Sequence, residues 1–530
     1  MVELRDVSFS YDGEKDVTDR VSLSLRGGEH LVLLGKNGSG KSTVARMFNG
    51  RLRPRSGRVL LDGADVTAAP RPVLSRATGY VRQDPLSQVV SDLCRDEVAF
   101  GPRNLGLSPH EVRERVREAL EACGIAELAP RLTGELSGGQ QQLLALAGVL
   151  AMRPAHLVLD EADSHLDQAT RTRLRGVVRA LVARGVAVLE IAHSGEALVD
   201  ATRVAVLEGG ALLWEGPPEA FLRDDRALEA SGLAEDLIAA AFARAVRDGI
   251  DLARAASPEG LAPYAGSRVP RRAADGDAHT LRARGVELSY GDRAALRGAE
   301  LASRGLTLLL GASGSGKTTL ARVLSGVLDP DAGTATLDGT AVRPGMVGLS
   351  FQRPEDQLFC ETVIDDVAFG PRAAGAGEER ALAAARDALA RLGLGEELLE
   401  RSPFSLSGGQ MRRAALAGVL ALRPGAYVFD EPTAGLDAPG RAGLVRFVRG
   451  LADEGAAVVV ITHDAGEWLD AADEVAFLGN GRVLGTVPAA MARRDPALFE
   501  AAGLEPPLLV RAACAGSPAV PSGGRAHARS

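Results

Sequence analysis

Two eight-residue stretches of this chain carry the same chemistry. Gly35-Lys36-Asn37-Gly38-Ser39-Gly40-Lys41-Ser42 recurs 276 positions on as Gly311-Ala312-Ser313-Gly314-Ser315-Gly316-Lys317-Thr318. In the pattern G-x-x-x-x-G-K-[ST] the glycines let backbone N–H groups converge on phosphate oxygens. The spacing would place Lys41 and Lys317 at the β- and γ-phosphates of a nucleotide and Ser42 and Thr318 in the shell of a Mg²⁺ ion. Thr43 and Thr319 would complete each phosphate-binding set, at the start of a helix whose positive end adds to the attraction.

Carboxylates repeat in the same way. The apolar run His156-Leu157-Val158-Leu159 leads into Asp160-Glu161, and Ala426-Tyr427-Val428-Phe429 leads into Asp430-Glu431. A strand ending in a carboxylate delivers it to the sheet edge beside the phosphate loop. Asp160 and Asp430 suit the Mg²⁺ shell, and Glu161 and Glu431 are placed to polarise an attacking water.

These residues need elements to hold them, and the repeat shows which. Leu31 to Leu34 and Thr307 to Leu310 read as buried strands running into the phosphate loops. Leu136-Ser137-Gly138-Gly139-Gln140 returns as Leu406-Ser407-Gly408-Gly409-Gln410, and His193 returns as His463, both at a spacing of 270, while Gln83 and Gln352 differ by 269. Such steady offsets mean two copies of one domain. The expected division is a first copy over 1–228, a partly helical linker over 229–277, a second copy over 278–504 and a disordered tail over 505–530. Before each signature a helical stretch is expected; in the first copy Ser108-Pro109-His110-Glu111 is a capping box opening a helix with an apolar face at Val112, Val116, Ala119, Leu120 and Cys123.

Composition bounds the rest. The 530 residues carry 61 Lys+Arg against 69 Asp+Glu, a net charge of −8, which speaks against a nucleic-acid partner. The longest apolar run, Leu143 to Met152, is far short of a membrane span, so any membrane role is peripheral. Four cysteines without a C-x-x-C pair read as reduced thiols. Only four lysines stand among 57 arginines, and two of them are Lys41 and Lys317. A compact ammonium fits among backbone amides where a broad guanidinium does not.

The full set, in this order, resembles the ATP-binding cassette (ABC) ATPases, and the resemblance covers nearly all of both copies. It implies an α/β fold of two tandem P-loop ABC-type ATPase domains, each a mostly parallel sheet core with a helical subdomain. It also implies that the copies pair head to tail within the chain. Lys41, Ser42, Asp160 and Glu161 would then face Ser407 and Gly409, and Lys317, Thr318, Asp430 and Glu431 would face Ser137 and Gly139. His193 and His463 are similar to the family's switch histidines at the γ-phosphate. Gln83 and Gln352 would sense Mg²⁺–ATP, and Tyr11 and Tyr290 would stack on adenine, against the reading of each as a half-buried strand tyrosine.

The glutamine segments, Gln83 to Gln88 and Gln352 to Gln357, both fit Q-x-P-x-x-Q and precede Glu97-Val98-Ala99-Phe100-Gly101-Pro102 and Asp366-Val367-Ala368-Phe369-Gly370-Pro371. They resemble the ATPase subunits of energy-coupling-factor (ECF) importers. That implies a bacterial protein on the cytoplasmic face of the membrane, bound to an integral coupling subunit and a membrane substrate-binding subunit. The cargo would be a vitamin, a vitamin precursor, or cobalt or nickel ion. The contrasting reading is a soluble tandem ABC ATPase acting on ribosomes. A repair ATPase would need long heptads, and sugar-type tandems often carry a degenerate second copy, whereas here the second is the cleaner. The first copy reads Asp160-Glu161-Ala162-Asp163-Ser164-His165 where the second has Asp430-Glu431-Pro432-Thr433-Ala434-Gly435, and Gln142-Leu143 stand opposite Arg412-Arg413. The added charge of Asp163 is expected to disfavour an anion locally and make the two sites unequal.

Overall fold

The computed structural model describes residues 1–164, 166–266 and 278–516. His165, residues 267–277 of the expected linker and 517–530 of the expected tail lie outside them.

Each copy is built on two sheets. In the first, a six-stranded sheet runs in the order Ala211–Gly216, Arg203–Glu208, His30–Leu34, Ala187–Ile191, His156–Asp160, Thr78–Val81. All neighbours pair in parallel except the edge strand Ala211–Gly216. The second copy repeats the order with Arg482–Pro488, Glu474–Gly479, Leu306–Leu310, Ala457–Ile461, Ala426–Asp430 and Val347–Ser350. The strands His30–Leu34 and His156–Asp160 are buried at all positions. This is why they read as unbroken apolar runs rather than alternating ones.

A second, antiparallel sheet of four strands stands beside each core, and the sequence reading did not anticipate it. It comprises Thr18–Leu25, Val2–Phe9, Ser56–Leu61 and Ala64–Asp65 in one copy and Arg293–Ser303, Leu281–Tyr290, Ala332–Leu337 and Thr340–Ala341 in the other. Strands Val2–Phe9 and Leu281–Tyr290 bring the chain to Tyr11 and Tyr290.

The helical subdomain follows the capping signals. Ser108 caps the helix Pro109–Ala122 with both capping-box bonds to Glu111. Val112, Ala119, Leu120 and Cys123 are buried, the last three in one cluster at whose edge Val116 packs. Ser137 and Ser407 do the same for helices Gly138–Leu150 and Gly408–Ala421, each with the glutamine three residues on. The signature L-S-G-G-Q is thus itself a capping box, whose two glycines leave the helix's first N–H groups bare to the cleft.

Two expectations are corrected. Residues 229–266 are helical in part, as expected, but they pack onto the first copy instead of running free between the two. Helices Asp225–Ser231, Leu237–Arg247, Leu252–Ala255 and Pro258–Leu261 pack Leu228, Phe242, Val246 and Leu261 into one cluster with Phe221 and Val206 of the first copy. The segment after 504 is not disordered at its start either. Helix Leu508–Ala515 buries Leu508 and Ala512 in that same cluster, against Pro258–Leu261. Apolar area removed from water drives both. The helix Leu237–Arg247 follows its helical spacing, while the Ala, Pro and Gly content hid the shorter helices, which are stable only through that packing.

Candidate functional site

The left-handed backbone of Gly40 and Gly316, at φ 97° and 106°, turns each phosphate loop into its helix, Lys41–Phe48 or Lys317–Leu324. No β-carbon fits there, because one on Gly40 would come 2.9 Å from the Val17 carbonyl oxygen and one on Gly316 2.6 Å from that of Ala295. The buried Lys41 Nζ donates to the carbonyls of Gly35 and Lys36 at 2.6 and 3.1 Å. Lys317 does the same to Gly311 and Ala312 at 2.7 and 3.0 Å. Burial pushes both ammonium groups down in pKa, against the attraction of nearby carboxylates. For Lys41 these include Asp437 of the other copy, and for Lys317 they include Asp167.

Ser42 Oγ donates to Asp160 Oδ1 at 2.9 Å, and Thr318 Oγ1 to Asp430 Oδ2 at 2.8 Å. Such all-oxygen pairs fit a hard divalent cation. Among the described residues the buried hydroxyls of Ser39 and Ser315 have no partner, one in each loop at the same register. Buried polar groups are rarely left so, and both would be met by phosphate oxygens. The chain's own residues therefore fit ATP with Mg²⁺ in both copies. One difference was not legible: Tyr80 donates to Asp160 Oδ2 at 2.5 Å, whereas Leu349 takes that place in the second copy.

Glu161 and Glu431 follow the Asp-ended strands with φ of 53° and 50°. This left-handed conformation costs a non-glycine residue about 1–3 kcal/mol and is held only where surroundings enforce it. His193 Nε2 lies 2.9 Å from Glu161 Oε1, and His463 Nε2 lies 3.3 Å from Glu431 Oε1. Burial, with Asp430 beside it, pushes Glu431 up to about 8. Burial and then Lys317 push His463 down to about 4, leaving a neutral ring.

The two copies meet across one cleft of about 2390 Å³. Its walls include Asn37, Gly38, Gly40, Lys41, Ser42, Thr43, Gln83, Ser137, Gly139 and Glu161 of the first copy. From the second they include Tyr290, Ser313, Gly314, Gly316, Lys317, Thr318, Thr319, Gln352, Ser407, Gly409, Asp430, Glu431 and His463. Gly409 comes so near the first loop that a β-carbon on it would lie 3.9 Å from Asn37 Nδ2. The Asn37 N–H donates to Asp437 Oδ2 at 2.9 Å. Tyr290 lines the cleft and is 50% exposed; Tyr11, 59% exposed, is outside its lining and accepts from Arg46 while meeting Thr43 Oγ1 at 3.2 Å. His193 lies behind, with His463, on a cavity of about 70 Å³ between the copies.

Asp163 is not part of the cleft's lining. It lines a small cavity with His30, Glu190 and Arg175 and also the cavity between the copies with His193 and His463, and burial followed by Glu190 pushes its carboxyl up in pKa. Its place is thus behind the switch histidines rather than on the phosphate side. The asymmetry takes another form: Arg412 donates to the carbonyls of Glu431 and Gln352, the latter at 3.1 Å, while Gln142 donates to that of Arg82 at 3.0 Å.

The ABC transporter family model matches residues 18–164 and 299–434, one stretch in each copy. This chain belongs to the ABC transporter ATP-binding family, with two ATPase domains in tandem. It is 38% identical over 517 residues to a Bifidobacterium longum protein named as an ABC transporter ATP-binding protein, covering 89% of this chain and 64% of that one. It is 30% identical over 533 residues to a Bacillus subtilis protein named for HMP/thiamine import, at 96% and 95% coverage. One copy's length, 236 residues, is 39% identical to a cobalt import ATP-binding protein of Syntrophus aciditrophicus, covering 44% of this chain and 84% of that one. No helix among the described residues is long and apolar enough to cross a membrane.

Proposed function

We propose that this ABC transporter ATPase is the motor of an ECF-type uptake system, hydrolysing ATP at two sites formed between its copies. The observation that carries the two-site reading is that both phosphate loops and both signatures line one cleft, with Gly409 beside Asn37 and the Asn37 N–H donating to Asp437. Lys41 and Lys317, once drawn from their carbonyl partners, neutralise the β- and γ-phosphates. The bare N–H groups behind Ser137 and Ser407 receive the γ-phosphate from the far side. Mg²⁺, held by Ser42 with Asp160 and by Thr318 with Asp430, would neutralise charge building on the phosphate oxygens. Glu161 and Glu431 orient water and take its proton. His193 through its ring, and His463 through its backbone N–H, hold those carboxylates in place. Gln83 and Gln352, on the cleft wall, report whether the nucleotide is bound.

Support for the membrane partner comes from the surface beside each glutamine segment. Phe359 and Phe369 are 61% and 48% exposed and meet edge to face at 4.8 Å. Val90 and Phe100, at the same register in the first copy, are 63% and 49% exposed. Apolar side chains held in water at paired positions suit the helices of an integral coupling subunit. The glutamine motifs and the likeness to proteins named for HMP/thiamine and cobalt import favour a vitamin precursor or a metal ion as cargo, bound by a separate membrane subunit. Membranes expressing the chain with its neighbouring genes should yield a detergent-stable complex with two membrane proteins. Phe369→Asp should abolish that capture with an unchanged thermal midpoint. Co-sedimentation with ribosomes and no membrane partner would overturn the reading.

A further inference from the structure

Arg441 lies on the second copy, four residues into the helix Ala438–Asp453 capped by Asp437. Its side chain is only 14% exposed. One guanidinium nitrogen donates to the carbonyl of Leu436, in its own copy, at 2.9 Å. The other donates at 2.8 Å to the carbonyl of His193, in the first copy. The same nitrogen stands 3.5 Å from Asp236 Oδ2, also of the first copy, and Nε pairs with Glu467. Asp236 in turn accepts from the N–H of Gly195 at 3.2 Å and caps the helix Leu237–Arg247. The turn His193–Gly195 is thus fixed at its carbonyl end by Arg441 and at its N–H end by Asp236. His193 is the residue whose ring bonds Glu161 at 2.9 Å.

The first copy places Arg171 at the corresponding position, and its contacts differ. It bonds its own Leu166 carbonyl at 3.2 Å and stands 3.8 Å from Asp464 across the interface. Among the described residues it makes no bond to the carbonyl of His463. Glu467 also has no counterpart, since Ala197 occupies that register.

We infer that Arg441 is a positioning residue acting across the interface: through the His193 carbonyl it sets the Glu161–His193 pair, so that the first copy's catalytic pair is aligned by the second copy. Asp437, four residues earlier on the same helix start, holds the phosphate loop of that same site through Asn37. One helix start therefore grips both the phosphate loop and the switch histidine of the Lys41 site. The inference rests on the reading of Glu161 and His193 as catalytic.

Arginine and lysine separate this role from plain charge balance. Lysine would still neutralise Glu467 and Asp236, but a single ammonium does not reproduce the fork that spans the Leu436 and His193 carbonyls. The test is vanadate trapping with 8-azido-ATP on the full chain, photolabelling, and peptide mapping that assigns label to each copy. In Arg441→Lys and Arg441→Gln, label in first-copy peptides should fall at least fivefold and label in second-copy peptides by less than twofold. Arg441→Lys should keep the thermal midpoint of the unaltered chain. An equal fall in both copies, or no fall in the first, would overturn the inference. Trapping in the first copy must also be lost in Glu161→Gln. If the unaltered chain traps nothing there, the catalytic reading of Glu161 fails and the inference with it.

Discussion

Asn37 and Asp437 are 400 residues apart in the chain and 2.9 Å apart in space. Asp437 Oδ1 accepts from Gly440 as the cap of its helix, while Oδ2 accepts from the phosphate loop. One carboxylate thus serves folding and the nucleotide site together. Asp167, its counterpart, caps the helix Gln168–Ala183 by the Thr170 N–H. Both Asp437→Ala and Asp167→Ala should cost about 1 kcal/mol of stability as lost caps. Asp437→Ala should in addition release Asn37 and weaken ATP binding at the Lys41 site severalfold, read by calorimetric titration with site-resolved photolabelling. Equal binding losses for the two variants would sink this account.

The phosphate-loop lysines give a second prediction. Each Nζ sits between two carbonyls in a buried slot shaped for one ammonium. Lys41→Arg and Lys317→Arg should each lower steady-state ATP hydrolysis more than about tenfold, equivalent to on the order of 1.4 kcal/mol of transition-state stabilisation. Lys15→Arg, at an exposed position, should change it little. Normal turnover in Lys41→Arg would remove the slot argument.

Those lysines show what was legible in the chain and why. The phosphate loops, the Asp-ended strands, the signature caps and the histidines are local patterns repeated in register, so duplication made each one stand out. Asp160, Ser42 and Glu161 come together as the spacing implied, and His193 joins them as the resemblance implied, because parallel strands end at one sheet edge. Arg441, Asp236 and Tyr80 gave no such signal. Their partners lie in other elements or in the other copy, and a lone Arg or Asp on a helix reads as a solvated charge. The antiparallel sheet escaped because its strands alternate weakly and carry bulges between Leu4 and Val7 and between Ala283 and Val286.

Unequal sites are a third prediction, now resting on Arg412 rather than on Asp163. Arg412 holds the carbonyl of Glu431, whereas Gln142, at the same register, donates to the carbonyl of Arg82. Glu161→Gln and Glu431→Gln should leave different residual turnover. Arg412→Gln, which copies the first domain, should lower kcat in a Glu161→Gln background. Identical residual rates for the two single variants would refute inequality.

Gly195 gives a fourth. A β-carbon there would lie 2.5 Å from the Ala239 backbone nitrogen and 2.7 Å from its Cα. The switch turn and the helix Leu237–Arg247 touch backbone to backbone. Gly195→Ala should force them apart, at about 1–3 kcal/mol, and reduce turnover at the Lys41 site together with stability. Urea unfolding and hydrolysis rates, measured side by side, would show both falling. Wild-type values in both would disprove the contact.

The last concerns a buried pair that only the first copy has. His30 Nε2 lies 2.7 Å from Glu190 Oε2, and its Nδ1 donates to the Asp200 carbonyl at 3.0 Å. In the second copy Leu306 and Val460 fill those positions. Burial opposes charge on the imidazole, but the Glu190 hydrogen bond and its attraction outweigh burial and raise the pKa above 6.5. A raised folded value means that the pair's contribution is complete below about 6.5 and fades as pH climbs through that folded value. His30→Leu alone should cost about 3–5 kcal/mol, since it strands a buried carboxylate. His30→Leu with Glu190→Val, which copies the second domain, should recover most of that loss, because two apolar groups need no partner. The double variant should also lose less stability than the unaltered chain between pH 6 and pH 9. Urea midpoints across that range decide the matter, and a double variant as unstable as the single one would mean that the pair is not what His30 contributes.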